Sequence, residues 1–177
     1  MNKDLLLSNL RNIPDFPIPG IQFKDVTSLF KNPACMQELD KALYEMYKDC
    51  GITKIVGIES RGFVMASALA VKLNAGFVPI RKPGKLPAET ISESYGKEYG
   101  RDTIEIHKDA INENDVVLIH DDLLATGGTM LAAYNLVKKL NPKRVMINFL
   151  IELEGLKGRS TFPADAEIDC LLTLEGK

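Results

Sequence analysis

An α/β protein with a central, mostly parallel sheet flanked by helices is the fold this sequence predicts, on three observations. Four short apolar runs, at 53–58, 76–80, 116–119 and 144–151, have the length and β-branched content of strands buried on both faces. Stretches of helical spacing alternate with them, the order that yields parallel pairing. A length of 177 residues suffices for one well-buried core and falls short of two. No repeat, low-complexity tract or linker divides the chain, so residues 1–177 are expected to form a single domain, with 1–32 as an amino-terminal arm and 88–107 as a lid within it.

The elements follow in order. Asp4 to Ile13 has apolar residues at helical spacing, and the run Pro14-Asp15-Phe16-Pro17-Ile18-Pro19-Gly20 breaks it, leaving a proline-stiffened arm. Pro33 to Cys50 reads as an amphipathic helix, with Met36, Leu39, Leu43, Met46 and Tyr47 on one face and Gly51 closing it. The strand at 53–58 leads into a small, apolar helix at 62–73, and the strand at 76–80 follows. Arg81 to Asn114 is too long and polar for a simple βα connection, and the alternation Thr103-Ile104-Glu105-Ile106-His107 inside it predicts a mobile hairpin lid. The strand at 116–119, a helix at 130–140 and the strand at 144–151 complete the pattern; the tail after Glu152 is uninformative.

Bulk properties exclude several classes. The chain is 45% hydrophobic and 26% charged with a net charge of −2, without a tract of 18 apolar residues or a signal-peptide pattern at 1–11, so a cytoplasmic protein without membrane contact is expected. Lacking a basic stripe, it has no electrostatic footprint for nucleic acid. Cys35, Cys50 and Cys170 are odd in number and lack C-x-x-C spacing, so they read as buried thiols rather than as a disulfide framework or a zinc site.

The most informative stretch is Val116 to Thr129. Asp121 and Asp122 stand where the apolar strand is expected to stop, and Ala125-Thr126-Gly127-Gly128-Thr129 forms a small turn opening a helix. Ligands of open α/β sheets bind at such strand ends. Consecutive N–H groups and two hydroxyls at a helix N-terminus suit a phosphate monoester, and adjacent carboxylates suit a neighbouring diol. Together they describe a ribose 5-phosphate, with Asp121 and Asp122 on the 2- and 3-hydroxyls and Ala125 to Thr129 on the phosphate. No Lys follows Gly128, which excludes a Walker A loop, and G-x-G-x-x-G is absent.

This segment closely resembles the phosphoribosyl pyrophosphate signature of type I phosphoribosyltransferases, and the string Asp121-Asp122-Leu123-Leu124-Ala125-Thr126-Gly127-Gly128-Thr129 is similar to the adenine-specific branch. The resemblance runs from about Asp15 to Arg144. It implies the type I fold with the arm as a hood and the lid as a flexible loop. It also implies phosphoribosyl transfer to adenine, yielding AMP and pyrophosphate, and a homodimer. Ser60 and Arg61 resemble the family's pyrophosphate loop, and Arg81, Lys82 and Lys85 its cationic turn. The resemblance also implies a strained non-proline peptide before or after Ser60, and a cis bond at Glu59–Ser60 is the expected choice of the two. Mg²⁺ is implied as well, held by substrate oxygens and waters rather than by a protein cage. Glu98 resembles the lid glutamate assigned to proton movement at the purine N7. Phe23 and Leu123 would sandwich the base, main-chain groups near Gln22 would read its 6-amino edge, and Arg61 would add a ring contact. Two positions depart from the family pattern. Met65-Ala66 replaces a Phe-Gly pair, and His120 stands where an aliphatic residue is usual and is read as a packed core position.

Overall fold

The computed structural model describes residues 1–96 and 100–176. Its centre is a five-stranded sheet in the order β4-β3-β7-β8-β9, formed by Gly76–Ile80, Lys54–Ile58, Val116–Leu124, Arg144–Glu154 and Glu167–Glu175, with every pairing parallel. From β3 the chain steps outward to β4, and from β7 outward the other way to β8 and β9. The order therefore reverses between β3 and β7, the place where open α/β sheets bind ligands.

Each sheet face is closed by its own apolar cluster. On one face, α4 (Gly62–Leu73) contributes Met65, Ala66, Leu69 and Ala70, and α3 (Pro33–Tyr47) contributes Leu39, Leu43 and Tyr47, against Ile55, Leu118 and Leu150. On the other, α5 (Gly128–Lys138) places Met130, Ala133, Leu136 and Val137 over Val56, Ile119 and Ile147. The hairpin of β5 (Thr90–Gly96) and β6 (Arg101–His107) joins this second layer through Ile104 and Ile106. Among the described residues no helix is long and apolar enough to cross a membrane.

The helices at 62–73 and near 128–138, the hairpin and the four expected strands are all present. Four differences have local reasons. The first helix, α1 (Lys3–Asn9), is short, and Arg11–Pro14 (β1) pairs antiparallel with Gln22–Asp25 (β2), so the arm is a hairpin, followed by the short helix α2 (Thr27–Phe30). The intervening loop holds a cis Phe16–Pro17 peptide, and Gly20, at φ +90°, donates its N–H to Asp15 Oδ1 at 2.7 Å. Strand β7 does not stop before the acids but runs on to Leu124, because β8 continues beside it, Asp121 opposite Phe149 and Leu124 opposite Glu152. A fifth strand of this sheet, β9, lies in the tail that gave no signal; it forms an edge, with Leu171 and Leu172 buried and its two ends exposed. Finally, Cys35 is buried, but Cys50 and Cys170 are only half-buried.

Candidate active site

Unequal strand lengths build the site. β3 ends at Ile58, whereas β7 continues to Leu124, so Asp121 to Leu124 pair with β8 alone and leave their other edge to the turn that begins α4. That turn is Glu59-Ser60-Arg61, with the Glu59–Ser60 peptide cis, as expected. Gly62 follows because nothing larger fits: a Cβ there would lie 2.8 Å from His120 O and 3.0 Å from Asp121 Oδ1. Close approach brings the N-terminus of α4 against the acidic pair.

The two acids differ in surroundings. Asp122 is 3% exposed, and its Oδ2 accepts from Arg61 Nε at 2.5 Å. Asp121 is half-buried and, among the described residues, makes no such contact with a cation; its Oδ1 accepts the Asp122 N–H at 2.9 Å. Burial, reinforced by the Asp122 charge, raises the Asp121 pKa well above its ordinary 3.8.

Behind them His120, 1% exposed, is packed as expected. Its Nδ1 lies 2.8 Å from Asn148 Oδ1, and Asn148 Nδ2 donates to Asp169 O at 3.5 Å, so the imidazole carries its proton on Nδ1. Burial depresses its pKa to about 4, overriding the Asn148 hydrogen bond and the Asp122 charge that favour protonation.

Two adjoining clefts meet at the acids. The larger, of about 530 Å³, is lined by Ser60, Arg61, Lys82, Asp121, Asp122 and Thr129, with Glu59, Ile58, Tyr95 and Asp102. The smaller, about 190 Å³, shares Arg61 and the acids and contains Leu123 and all of Ala125 to Thr129. The turn itself is held from the tail: Gly127 adopts φ +84°, and a Cβ on it would meet Thr161 Oγ1 at 2.6 Å and Gly158 O at 2.7 Å.

Most expected site residues thus converge. Arg81 points elsewhere: its Nε and Nη2 fork onto Glu59, each at 3.3 Å, and the Lys82 N–H donates to the same carboxylate at 2.9 Å. These bonds, the Lys82 one foremost, lower the Glu59 pKa. Lys85 lines neither cleft and offers its carbonyl to Arg81 at 3.4 Å. Phe23 lies beside the site, with the Arg61 guanidinium 6.0 Å from its ring centre and Phe16 packed edge-on at 5.1 Å, while the Gln22 side chain accepts from Asn12 at 2.6 Å. Glu98 falls outside the described residues. Tyr95, Asp102, Gly158 and Thr161 were missed; Tyr95 and Asp102 fall within the 88–107 lid that the sequence marked, whereas Gly158 and Thr161 lie in the tail that gave no signal.

Among the described residues no three His, Cys, Asp or Glu side chains form a metal-holding group. The donor set fits Mg²⁺ carried by substrate: Asp121 and Asp122 line a cleft that Arg61 and Lys82 also line, so the two carboxylates can meet a hydrated, phosphate-bound ion.

Comparison with known proteins agrees with this geometry. The family model described as phosphoribosyl transferase domain matches residues 25–174, including the tail. The adenine phosphoribosyltransferase of Bacteroides thetaiotaomicron is 67% identical over 174 residues, covering 98% of this chain and 99% of its own. Among solved structures, adenine phosphoribosyltransferase from Rhodothermus marinus is 51% identical with a TM-score of 0.89, covering 97% of both chains. The APRTase of Giardia lamblia complexed with 9-deazaadenine is 40% identical with a TM-score of 0.91, covering 98% of both. With its two-cleft site at the switch point of a parallel sheet and relatives this similar along their whole length, the chain belongs to the adenine phosphoribosyltransferases of the phosphoribosyl transferase family.

Proposed function

We propose that the site transfers the 5-phosphoribosyl group of phosphoribosyl pyrophosphate to adenine, giving AMP and pyrophosphate. The observation that carries this reading is the overhang of β7, which sets two carboxylates between two turns suited to anions. In this assignment Ala125 to Thr129 hold the 5-phosphate, Asp121 and Asp122 the ribose hydroxyls, and Ser60, Arg61 and Lys82 the pyrophosphate. Arg81 supports that end indirectly, by fixing Glu59 and through it the Lys82 main chain.

Displacement at the ribose C1 develops positive charge on the sugar as the pyrophosphate departs. An ionised Asp121 is costly in the empty site, and that cost is relieved as the sugar becomes cationic. The carboxylate therefore favours the transition state over the ground state. Mg²⁺ bound to the pyrophosphate oxygens, with Asp121 and Asp122 meeting its waters or the hydroxyls, would neutralise the leaving group. Phe23 and Leu123 take the faces of the base, Arg61 its edge and main-chain groups near Gln22 its amino group; Glu98 moves the N7 proton. Family membership also supports Mg²⁺ dependence, a homodimer and a cytoplasmic setting.

The test is product formation with adenine, hypoxanthine, guanine and xanthine in turn, each with phosphoribosyl pyrophosphate. Turnover of adenine in preference to the oxo-purines is expected; preference for an oxo-purine would overturn the base assignment. Binding of phosphoribosyl pyrophosphate without turnover of any base would instead identify a sensor of that metabolite.

A further inference from the structure

Tyr95 belongs to the β5–β6 hairpin, yet its side chain lies across the phosphate turn. Its hydroxyl accepts from Thr129 Oγ1 at 3.1 Å and donates to Asp102 Oδ2 at 3.4 Å. Its ring covers the first residue of α5, so that a Cβ on Gly128 would sit 3.8 Å from Tyr95 Cδ2. The hairpin is fastened to α5 a second time at the helix's far end, where Lys139 Nζ meets Glu93 Oε2 at 2.5 Å and Ser92 O at 3.4 Å. One attachment lies remote from ligand; the other runs through a residue assigned to bind it.

The Thr129 hydroxyl has a single proton, and here Tyr95 receives it. A phosphate monoester at neutral pH presents acceptor oxygens, so a bound phosphate requires that proton for itself. Tyr95 then loses its donor. It can turn its own proton toward Thr129 or keep it on Asp102, but one proton cannot serve both. Filling the phosphate turn must therefore change how the hairpin is held at its Tyr95 end. The geometry points to Tyr95 as a positioning residue that couples occupancy of the 5-phosphate turn to the placement of the β5–β6 hairpin. This rests on the assignment of the 5-phosphate to Ala125–Thr129, and it adds to that assignment a route by which sugar phosphate readies the base-side chemistry before adenine is engaged.

Ribose 5-phosphate separates the two ideas, because it fills the turn without permitting turnover. Amide hydrogen exchange of the full chain would be followed with and without it, together with calorimetric affinity, for the parent and Tyr95→Phe. In the parent, protection at 125–131 reports binding, and a change of about fivefold or more at 90–96 and 101–107 reports the coupling. In Tyr95→Phe, binding should persist within about threefold while the hairpin response disappears, and kcat should fall by about tenfold with KM for adenine unchanged. A parent hairpin that ignores bound ribose 5-phosphate overturns the coupling whatever the variant does, as does a Tyr95→Phe hairpin that responds like the parent. Absence of protection at 125–131 in the parent overturns the phosphate assignment and the coupling with it.

Discussion

Arg61, in the turn that opens α4, holds Asp122 on β7 through a 2.5 Å contact between Nε and Oδ2, and the two members of this pair are unequally buried: the carboxylate side chain is 4% exposed and that of the arginine 46%. Water can therefore solvate Arg61 if its partner is neutralised, which limits what the pair contributes to stability. Its importance lies in orientation, since it fixes the buried carboxylate proposed to hold the ribose hydroxyls.

Asp122→Asn should accordingly separate stability from activity. A loss of about 1 kcal/mol or less is expected in urea unfolding. In the same variant kcat/KM should fall by about 100-fold or more, the usual size for one preorganised electrostatic contact. Collapse of the fold with proportionate loss of activity would show that the pair is structural.

Asp121→Asn should reduce activity to a similar extent and make the ligand-free protein more stable. The folded pKa of Asp121 lies above its ordinary 3.8, so the group favours folding at low pH and loses that contribution as pH rises through the folded value. Above the folded value the ionised carboxylate is a net cost, and the amide, which can still accept the Asp122 N–H, should be the more stable of the two. A destabilised Asp121→Asn protein in that range would contradict this.

His120 acts in the opposite sense. Its pKa falls from 6.5 to about 4 on folding, so between those values the unfolded chain binds more protons. Stability should therefore decline as pH is lowered through that window, by up to about 3 kcal/mol from this group. His120→Gln cannot titrate, and denaturation curves at a series of pH values should show the slope reduced. An unchanged slope would place the acid sensitivity elsewhere.

Gly158→Ala tests the bracing of the phosphate turn by the tail. The added methyl would collide with Ala125 O and approach Leu124 Cδ1 to 2.8 Å. A stability loss of about 1–3 kcal/mol is expected, with a raised KM for phosphoribosyl pyrophosphate and little change in that for adenine. Equal effects on both substrates would mean that the turn is not what moves.

Glu98→Gln keeps size and hydrogen bonding but removes the titrating group. If Glu98 is the acid/base at N7, kcat should fall by about 100- to 10,000-fold with adenine affinity nearly unchanged. Loss of affinity alone would assign it to binding.

The sequence by itself determined the layered α/β architecture, because periodicity reports which faces an element buries, and it marked Asp121, Asp122 and the 125–129 turn, because their chemistry is contiguous in the chain. The sequence also pointed to Ser60 and Arg61 through their place at a second strand end. Only the tertiary structure decided that β7 runs past β3 and bares an edge to α4, since strand length there is set by the pairing partner β8 and not by local apolarity. It also placed the Arg81 side chain on Glu59, a pairing that no charge cluster in the chain reveals. The positions of Tyr95 over Thr129 and of Gly158 and Thr161 under Gly127 were likewise invisible, because each joins residues more than 30 positions apart through single contacts that leave no periodic trace in the chain.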